Sequence, residues 1–265
     1  MHVKSQNTNA KTDLQQIAVF LLLAFLLPLV CALILANASI PEALSLILFG
    51  LEAATPSLAA ILVVLLFSSR SGLRSWFRKC YIDQIDVRLI LFGLLLPAVF
   101  IPVSKLLSWP TTGIAPVPGL ISPKKMLIVC WALVAEELGW RGFLQDRLQP
   151  YFSSRTLPLL LGLIWAAWHY HFYLANELPV PLFLFVFGCI ADSYLYYACT
   201  KAAKGNIVPV SILHFSENLF LNIWLINPQN NNGSITPYLV YVALFALTAI
   251  LAFVALERKQ AKLHS

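Results

Sequence analysis

The sequence contains few charged residues. Only 11% of its 265 residues are Asp, Glu, Lys or Arg, where roughly 25% is usual in soluble domains. Hydrophobic residues make up 59%, and the mean hydropathy is +0.78. A water-soluble globule with so few charges could not cover its surface, and the same figures exclude a disordered chain and a small disulfide scaffold. The composition predicts an all-α, polytopic membrane protein.

Cysteine pairs and long polar stretches are also missing. The five cysteines include no Cys-x-x-Cys pair and most lie in apolar segments, which indicates small buried side chains. Because no polar stretch is long enough for a soluble domain, we expect the protein to act in the bilayer or at its edge. The net charge of +6 comes from short basic runs between apolar segments, a distribution typical of topology signals and not of nucleic-acid binding.

Eight apolar segments predict about eight transmembrane helices. The first has an apolar run too long for a signal peptide, so we expect it to be retained. The chain then divides into helices 1–3 with a polar N-terminal tail (1–121), a core of helices 4–7 (122–227), and a last helix with a C-terminal tail (228–265). The predicted segments are 14–36, 43–67, 87–109, 123–148, 156–174, 179–200, 206–227 and 236–256.

Lysine and arginine are distributed unequally between the two sides of this predicted bundle. With the N-terminus in the cytoplasm, the outer loops hold only Lys124 and Lys125, while Lys105 and Arg141 fall within spans. This imbalance predicts that both termini are cytoplasmic, and the short loops suggest a bacterial inner membrane. The cytoplasmic pieces hold Lys4, Lys11, Arg70, Arg74, Arg78, Lys79, Arg88, Arg147, Arg155, Lys201, Lys204, Arg258, Lys259 and Lys262.

Three polar motifs interrupt the later apolar segments. An ionisable group costs about 2.5–3.5 kcal/mol at the centre of a span, and is therefore a candidate functional residue. A helical rise of about 1.5 Å per residue places the three motifs at a similar depth, which predicts one shared buried site. The motifs are Glu136-Glu137-Leu138-Gly139-Trp140-Arg141, Trp165-Ala166-Ala167-Trp168-His169 and His214-Phe215-Ser216-Glu217-Asn218.

Helix geometry gives the residues of the first two motifs different tasks. Glu137 and Arg141 are four residues apart and can pair along one face. Glu136 lies about 100° further round the helix, so it can point elsewhere. A carboxylate near the imidazole of His169 can deprotonate a water molecule held between them.

The third motif places an imidazole and an amide one helical turn apart. His214 and Asn218 are a plausible donor pair for an oxyanion that develops on an attacked carbonyl. Base, water and donors together describe hydrolysis of an amide without a covalent intermediate. Glu136, His169 and His214 are also ligand types of a hydrolytic zinc site, but the sequence has no His-Glu-x-x-His motif. We expect no cofactor, with zinc as the disfavoured alternative.

The three motifs together resemble those of the CPBP family. Glu-Glu-x-x-x-Arg, aromatic-x-x-x-His and His-x-x-x-Asn in membrane helices are similar to the type II CAAX prenyl proteases and the bacteriocin-processing or immunity (Abi) proteins. The resemblance covers about residues 122–222 and implies an intramembrane glutamic endopeptidase with its catalytic core in 122–227. The family usually has Phe where this chain has Trp165, which keeps an aromatic wedge and changes the shape of the cavity.

The resemblance implies a role for each motif residue. Glu136 is the base that activates water with His169, and His214 with Asn218 forms the oxyanion site. The implied partners are membrane lipids and a peptide or lipidated-protein substrate, with the site opening to lipid or to the cytoplasm. The supporting residues, expected to orient the site or bind substrate, are Glu137, Arg141 and Trp165.

Two other functions stay open at the level of sequence. A non-catalytic immunity or scaffold protein would keep the fold and bind a partner, but it has little reason to retain all three motifs. A proton-coupled transporter would use buried Glu and His as a relay, but residues 1–120 and 121–265 show no repeat. Among the remaining polar residues, we expect Glu52 to meet a backbone donor and His171 to be an interfacial or otherwise satisfied histidine.

Overall fold

A computed structural model describes residues 2–175, 178 and 180–264, and in that part of the chain it contains helices and no strand. Each of the eight predicted apolar segments contains a helix. The predicted start of the sixth segment, at 179, lies outside the described residues, as do Met1 and Ser265. The all-α prediction is confirmed, and the apolar helices make the chain an integral membrane protein.

Four helices are long and apolar enough to cross a membrane, or five if a bent pair counts as one span. The bent pair consists of α2 (Glu42–Ala53) and α3 (Thr55–Phe67), whose axes differ by 63°. The predicted number of eight spans is not confirmed, because the helices that carry the three motifs are short or interrupted. The long helices and the bent pair are α1 (His2–Asn37), α2 (Glu42–Ala53), α3 (Thr55–Phe67), α5 (Val87–Thr112), α11 (Leu182–Ala202) and α13 (Thr236–His264).

Two of the shorter helices begin after a serine cap, Ser69 before α4 and Ser122 before α6. Ser122 accepts a hydrogen bond from the amide of Lys125 at 3.2 Å, and Pro123 occupies the first helical position of α6. A π-helical turn, Trp140–Leu144, joins α7 to α8, and a 3₁₀ turn, Pro228–Asn230, precedes α13. These helices are α4 (Arg70–Tyr81), α6 (Pro123–Ala135), α7 (Glu137–Gly139), α8 (Gln145–Leu148), α9 (Thr156–Trp168), α10 (Tyr170–Leu174) and α12 (Val208–Trp224).

Helices from all three predicted parts of the chain pack on one another. α12 packs against α5 and α6, while α11 packs against α9 and α13. The hydroxyl of Ser216 donates to the carbonyl of Leu94 at 2.8 Å and links α12 to α5. A Cβ on Gly162 would lie 2.7 Å from the Cα of Ile190, so glycine is needed for α9 to approach α11. The residues 122–227 are therefore enclosed by the helices on either side of them in sequence.

Candidate active site

The first motif lies at a break in the fourth apolar segment. α6 ends at Ala135, and Glu136 has φ −122° and ψ −45°, outside the helical region. The chain resumes at once as α7, which lies directly on α3: a Cβ on Gly139 would come 2.4 Å from the carbonyl oxygen of Pro56. The helix predicted over 123–148 is thus interrupted at the residue expected to be the base. A break inside a membrane is tolerated where the surrounding protein covers it.

The carboxylate of Glu136 is fixed by a hydrogen bond from the indole of Trp165. Its Oε2 accepts a hydrogen bond from Nε1 of Trp165 at 2.7 Å, and its Oε1 lies 4.0 Å from Nε2 of His214. The side chain is buried, with 8% of the residue exposed. Because Trp165 occupies one oxygen, the second oxygen is the one left to meet a water molecule or substrate.

Glu137 forms the predicted pair with Arg141 and adds a partner that the sequence did not indicate. Its Oε1 accepts from Nη1 of Arg141 at 3.0 Å and from Nδ1 of His214 at 2.9 Å. Glu137 and Arg141 are 0% and 1% exposed. One carboxylate therefore fixes the orientation of both the guanidinium and the imidazole, and Nδ1 of His214 carries a hydrogen because it donates.

Arg141 also fixes the aromatic residues around the site. Its guanidinium lies 4.6 Å from the ring centroids of both Trp165 and Tyr196, a cation–π arrangement between two faces. Its Nη2 donates to the hydroxyl of Ser193 on α11 at 3.0 Å. The guanidinium thus ties α11 and α9 to the first motif.

His169 lies at a second break, between α9 and α10, with φ −71° and ψ 4°. Its Nδ1 donates to the carbonyl of Trp165 at 2.7 Å, since a carbonyl oxygen only accepts. In the neutral ring Nε2 then has no hydrogen and is an acceptor. Its ring lies edge-to-face with Trp165, with centroids 5.6 Å apart, and Trp165 makes the same kind of contact with His214 at 5.5 Å.

The four predicted catalytic residues line one cavity, which we call the apolar cavity. It has a volume of about 610 Å³, and apolar side chains of α2 and α6 form most of its wall. Neither Glu137 nor Arg141 lines it, so their burial favours an orienting role over direct contact with substrate. The four are Glu136, His169, His214 and Asn218.

A second space, which we call the polar cavity, meets the first at His169, His214 and Asn218. It has a volume of about 370 Å³ and is also lined by Asp192 and Glu217. Both oxygens of Glu217 accept hydrogen bonds from buried tyrosine hydroxyls, those of Tyr196 and Tyr241. Nothing in the sequence alone singled out Asp192 and Glu217, because their proximity depends on how the consecutive helices α11 and α12 pack.

Glu52 and His171 form a pair that sequence reasoning missed. Nδ1 of His171 lies 2.5 Å from Oε1 of Glu52, and both side chains are buried. The expectation of a backbone donor for Glu52 is wrong, because its carboxylate meets an imidazole. Two isolated polar residues in different apolar segments were the only signal available, and no spacing rule connects them.

The zinc alternative gains no support from the arrangement of side chains. In the described portion of the chain, no three His, Cys, Asp or Glu residues are grouped so as to hold a metal ion.

Comparison with known proteins shows a similarity over the segment that carries the three motifs. Residues 121–220 match the family model of the Rce1-like type II CAAX prenyl endopeptidases, and this range contains all three motifs. The resemblance drawn from those motifs is therefore confirmed over that segment.

The chain is also similar to one curated protein, CAAX prenyl protease 2 of Methanococcus maripaludis. The two are 31% identical over 108 residues, which is 36% of this chain and 38% of the Methanococcus protein. The match thus covers less than half of either chain.

Proposed function

We propose that the protein is an intramembrane endopeptidase of the CAAX protease type, with a water molecule activated by Glu136 and His169. One observation supports this above the others. Glu136 follows α6, His169 follows α9, and His214 and Asn218 lie on α12, yet all four line the same cavity. Glu136 and His169 lie at breaks between helices. Perturbed backbone geometry is concentrated at functional sites, because the surrounding structure must hold it in place.

The hydrolytic step follows from which atoms are already occupied. Trp165 holds Oε2 of Glu136, so Oε1 takes one proton from the water while Nε2 of His169 accepts a hydrogen bond from the remaining O–H. The water oxygen bonds to the carbonyl carbon of the substrate, and the carbonyl oxygen becomes the oxyanion. The proton on Glu136 then passes to the leaving nitrogen as the carbon–nitrogen bond breaks, which yields a carboxylic acid and an amine. The acid then transfers its proton to the amine, so the products leave as a carboxylate and an ammonium group.

The oxyanion of the tetrahedral intermediate meets His214 and Asn218. His214 lies between Glu136 and Glu137, and two carboxylates favour the charged ring, whose Nε2–H then donates to the oxyanion. The amide of Asn218 is the second donor. Glu137 and Arg141 orient this pair from behind the cavity wall. We propose no metal or other cofactor for this reaction.

The substrate in this proposal is a peptide or a lipidated protein. The apolar cavity suits an apolar segment or a lipid group, since its exposed polar surface is small compared with its apolar surface. The name of the Methanococcus relative points to prenylated substrates of this kind. From the distribution of lysine and arginine, we also propose a bacterial inner membrane with both termini in the cytoplasm.

Substitution of the base and its partner tests the proposal. Turnover of a quenched fluorescent peptide with a prenylated cysteine is measured for the protein purified in detergent. We expect Glu136→Ala and His169→Ala to reduce turnover to the uncatalysed background. Glu257→Ala is the matched control, because Glu257 contacts Ser154 and Arg155 at the far end of the bundle and should retain activity.

Two further measurements separate loss of chemistry from loss of fold and from metal dependence. Thermal unfolding of Glu136→Ala should stay within a few degrees of the parent protein, and a chelator should leave parent activity unchanged. Turnover by Glu136→Ala at the rate of the parent would overturn the assignment. A Glu136→Gln variant, which should retain bound substrate, allows the natural substrate to be trapped and identified by mass spectrometry.

A further inference from the structure

The helix bundle has two ends that differ in charge. The end we call cation-rich contains the loops 68–86, 149–155 and 203–207, where Lys79 pairs with Asp146 and Arg155 lies 3.7 Å from Glu257. The alternating helices bring all fourteen of the predicted cytoplasmic lysines and arginines to this end.

The opposite end, which we call cation-poor, contains the loops 38–41, 113–122 and 225–235. The loop 113–122 is tied to the last turn of α12 by the 2.7 Å hydrogen bond from the amide of Gly119 to the carbonyl of Ile223. Lys124 lies there and pairs with Glu42 at 2.8 Å.

Both cavities begin at the cation-poor end. The polar cavity is lined there by Lys125 and Asn227, and it reaches inward to Asp192 and Glu217. The apolar cavity starts about one turn into α2 and α6, at Leu46 and Leu127, and ends at the level of Glu136. In the described parts of the chain, no lysine or arginine of the cation-rich end lines either cavity. Of the two expected openings, to lipid or to the cytoplasm, the lining of the cavities therefore favours the opening to lipid.

The two cavities offer two kinds of entrance to one set of catalytic residues. The apolar cavity lies between α2 and α6, where Ile47, Leu127 and Trp131 are 57%, 59% and 43% exposed. Side chains so apolar and so exposed on a membrane protein face lipid. The polar cavity carries carboxyl, hydroxyl and amide groups instead. A substrate that uses both entrances has an apolar part in the bilayer and a polar chain in water.

From the cavity openings and the charge distribution, we infer that substrates reach the site from the extracytoplasmic side of the membrane. The substrate class is a polypeptide whose apolar segment or lipid group lies in the outer leaflet and whose polar chain lies outside the cell. The physical basis is that lysine and arginine remain on the cytoplasmic side of short-looped membrane proteins, which places the cation-poor end outside. The inference rests on the proposed function in treating the bound polypeptide as a substrate. The side from which the cavities are reached does not depend on the proposed function.

Cysteine labelling in intact cells tests the side of access without any need for turnover. Single cysteines are introduced at Gln229 in a cation-poor loop, at Asn222 in the wall of both cavities, and at Arg74 on α4. The background lacks Cys31, Cys130 and Cys189, which are partly exposed or line a cavity. A membrane-impermeant maleimide should label Gln229→Cys and Asn222→Cys in intact cells. It should label Arg74→Cys at least tenfold faster after permeabilisation than before.

Each other labelling pattern overturns the inference. Labelling of Arg74→Cys in intact cells, without labelling of Gln229→Cys, would place the cavities on the cytoplasmic side. Labelling of Gln229→Cys without Asn222→Cys would mean that the cavities do not open to the outside. Failure of the proposed function is seen separately, as full activity of Glu136→Ala in detergent, where both faces are accessible.

Discussion

The long helices and the interrupted helices of this protein meet the membrane in different ways. In α1, α5 and α13, only 22%, 28% and 22% of the most apolar stretch is buried inside the protein, so these helices present most of their surface to lipid and keep their backbone bonds intact. The fourth and fifth apolar segments break at Glu136 and His169, where neighbouring helices cover the backbone. The comparison teaches that these two breaks lie where protein and not lipid covers the backbone, although α12 presents His214 and Asn218 to the same cavity without a break.

The largest effect is expected from removing the carboxylate of Glu137, which lies outside the lining of the apolar cavity. Glu137→Ala leaves the guanidinium of Arg141 buried without its charge partner and releases His214. Breaking a buried ion pair from one side costs about 3–5 kcal/mol, so we expect strong thermal destabilisation and no turnover.

A matched change in an exposed pair provides the control for Glu137→Ala. Glu42→Ala removes the partner of Lys124, which is exposed, and should leave the unfolding temperature nearly unchanged, because exposed ion pairs contribute little to stability. Equal destabilisation by the two substitutions, measured by thermal unfolding in detergent, would contradict the distinction between the buried site and its surroundings.

An intermediate effect is expected from the oxyanion amide. Asn218→Ala should lower kcat by about 10²–10³-fold, the usual consequence of losing one donor to an oxyanion, with little change in KM or in thermal stability. Steady-state kinetics on the fluorescent peptide provide the measurement. A rise in KM at unchanged kcat would instead mean that Asn218 binds the ground state of the substrate.

A smaller effect is expected from removing the indole N–H of Trp165, which donates to Glu136. Trp165→Phe keeps a ring against His169 and His214 but removes the hydrogen bond to Glu136. A hydrogen bond to a charged group contributes about 1.5–3 kcal/mol, which corresponds to roughly a ten- to hundredfold loss in kcat.

Trp168→Phe is the matched control for Trp165→Phe, because its indole donates to the carbonyl of Ala24 and not to the site. This substitution should lower thermal stability but leave kcat within a factor of a few. If Trp165→Phe retains full kcat while Glu136→Ala is inactive, the indole has a packing role alone.

The long helices are predictable from sequence because burial in lipid requires nothing more than an apolar run. The predicted segment 236–256 lies within α13, and 87–109 lies within α5. Glu137 with Arg141 is predictable as well, since a four-residue spacing on one helix face needs no tertiary information.

The breaks in the chain are not predictable in the same way. Nothing local marks Glu136 as the end of α6, because the break depends on Gly139 fitting against Pro56 of α3. The pairing of His214 with Glu137 also depends on how α12 packs, and the sequence separation of 77 residues carries no rule. The site is therefore predictable as a set of residue types at similar depth, but not as a network of hydrogen bonds.

The contact between Glu52 and His171 ties α2 to the segment that carries His169. Glu52 is in the last turn of α2, the helix that borders the apolar cavity, and His171 is two residues after His169. An outward displacement of α2 that widened the apolar cavity for a bulky substrate would have to separate Glu52 from His171 or displace the segment of His169 as well. Entry of a substrate past α2 and the orientation of His169 are thus coupled through this one contact, which lies outside the group of catalytic residues.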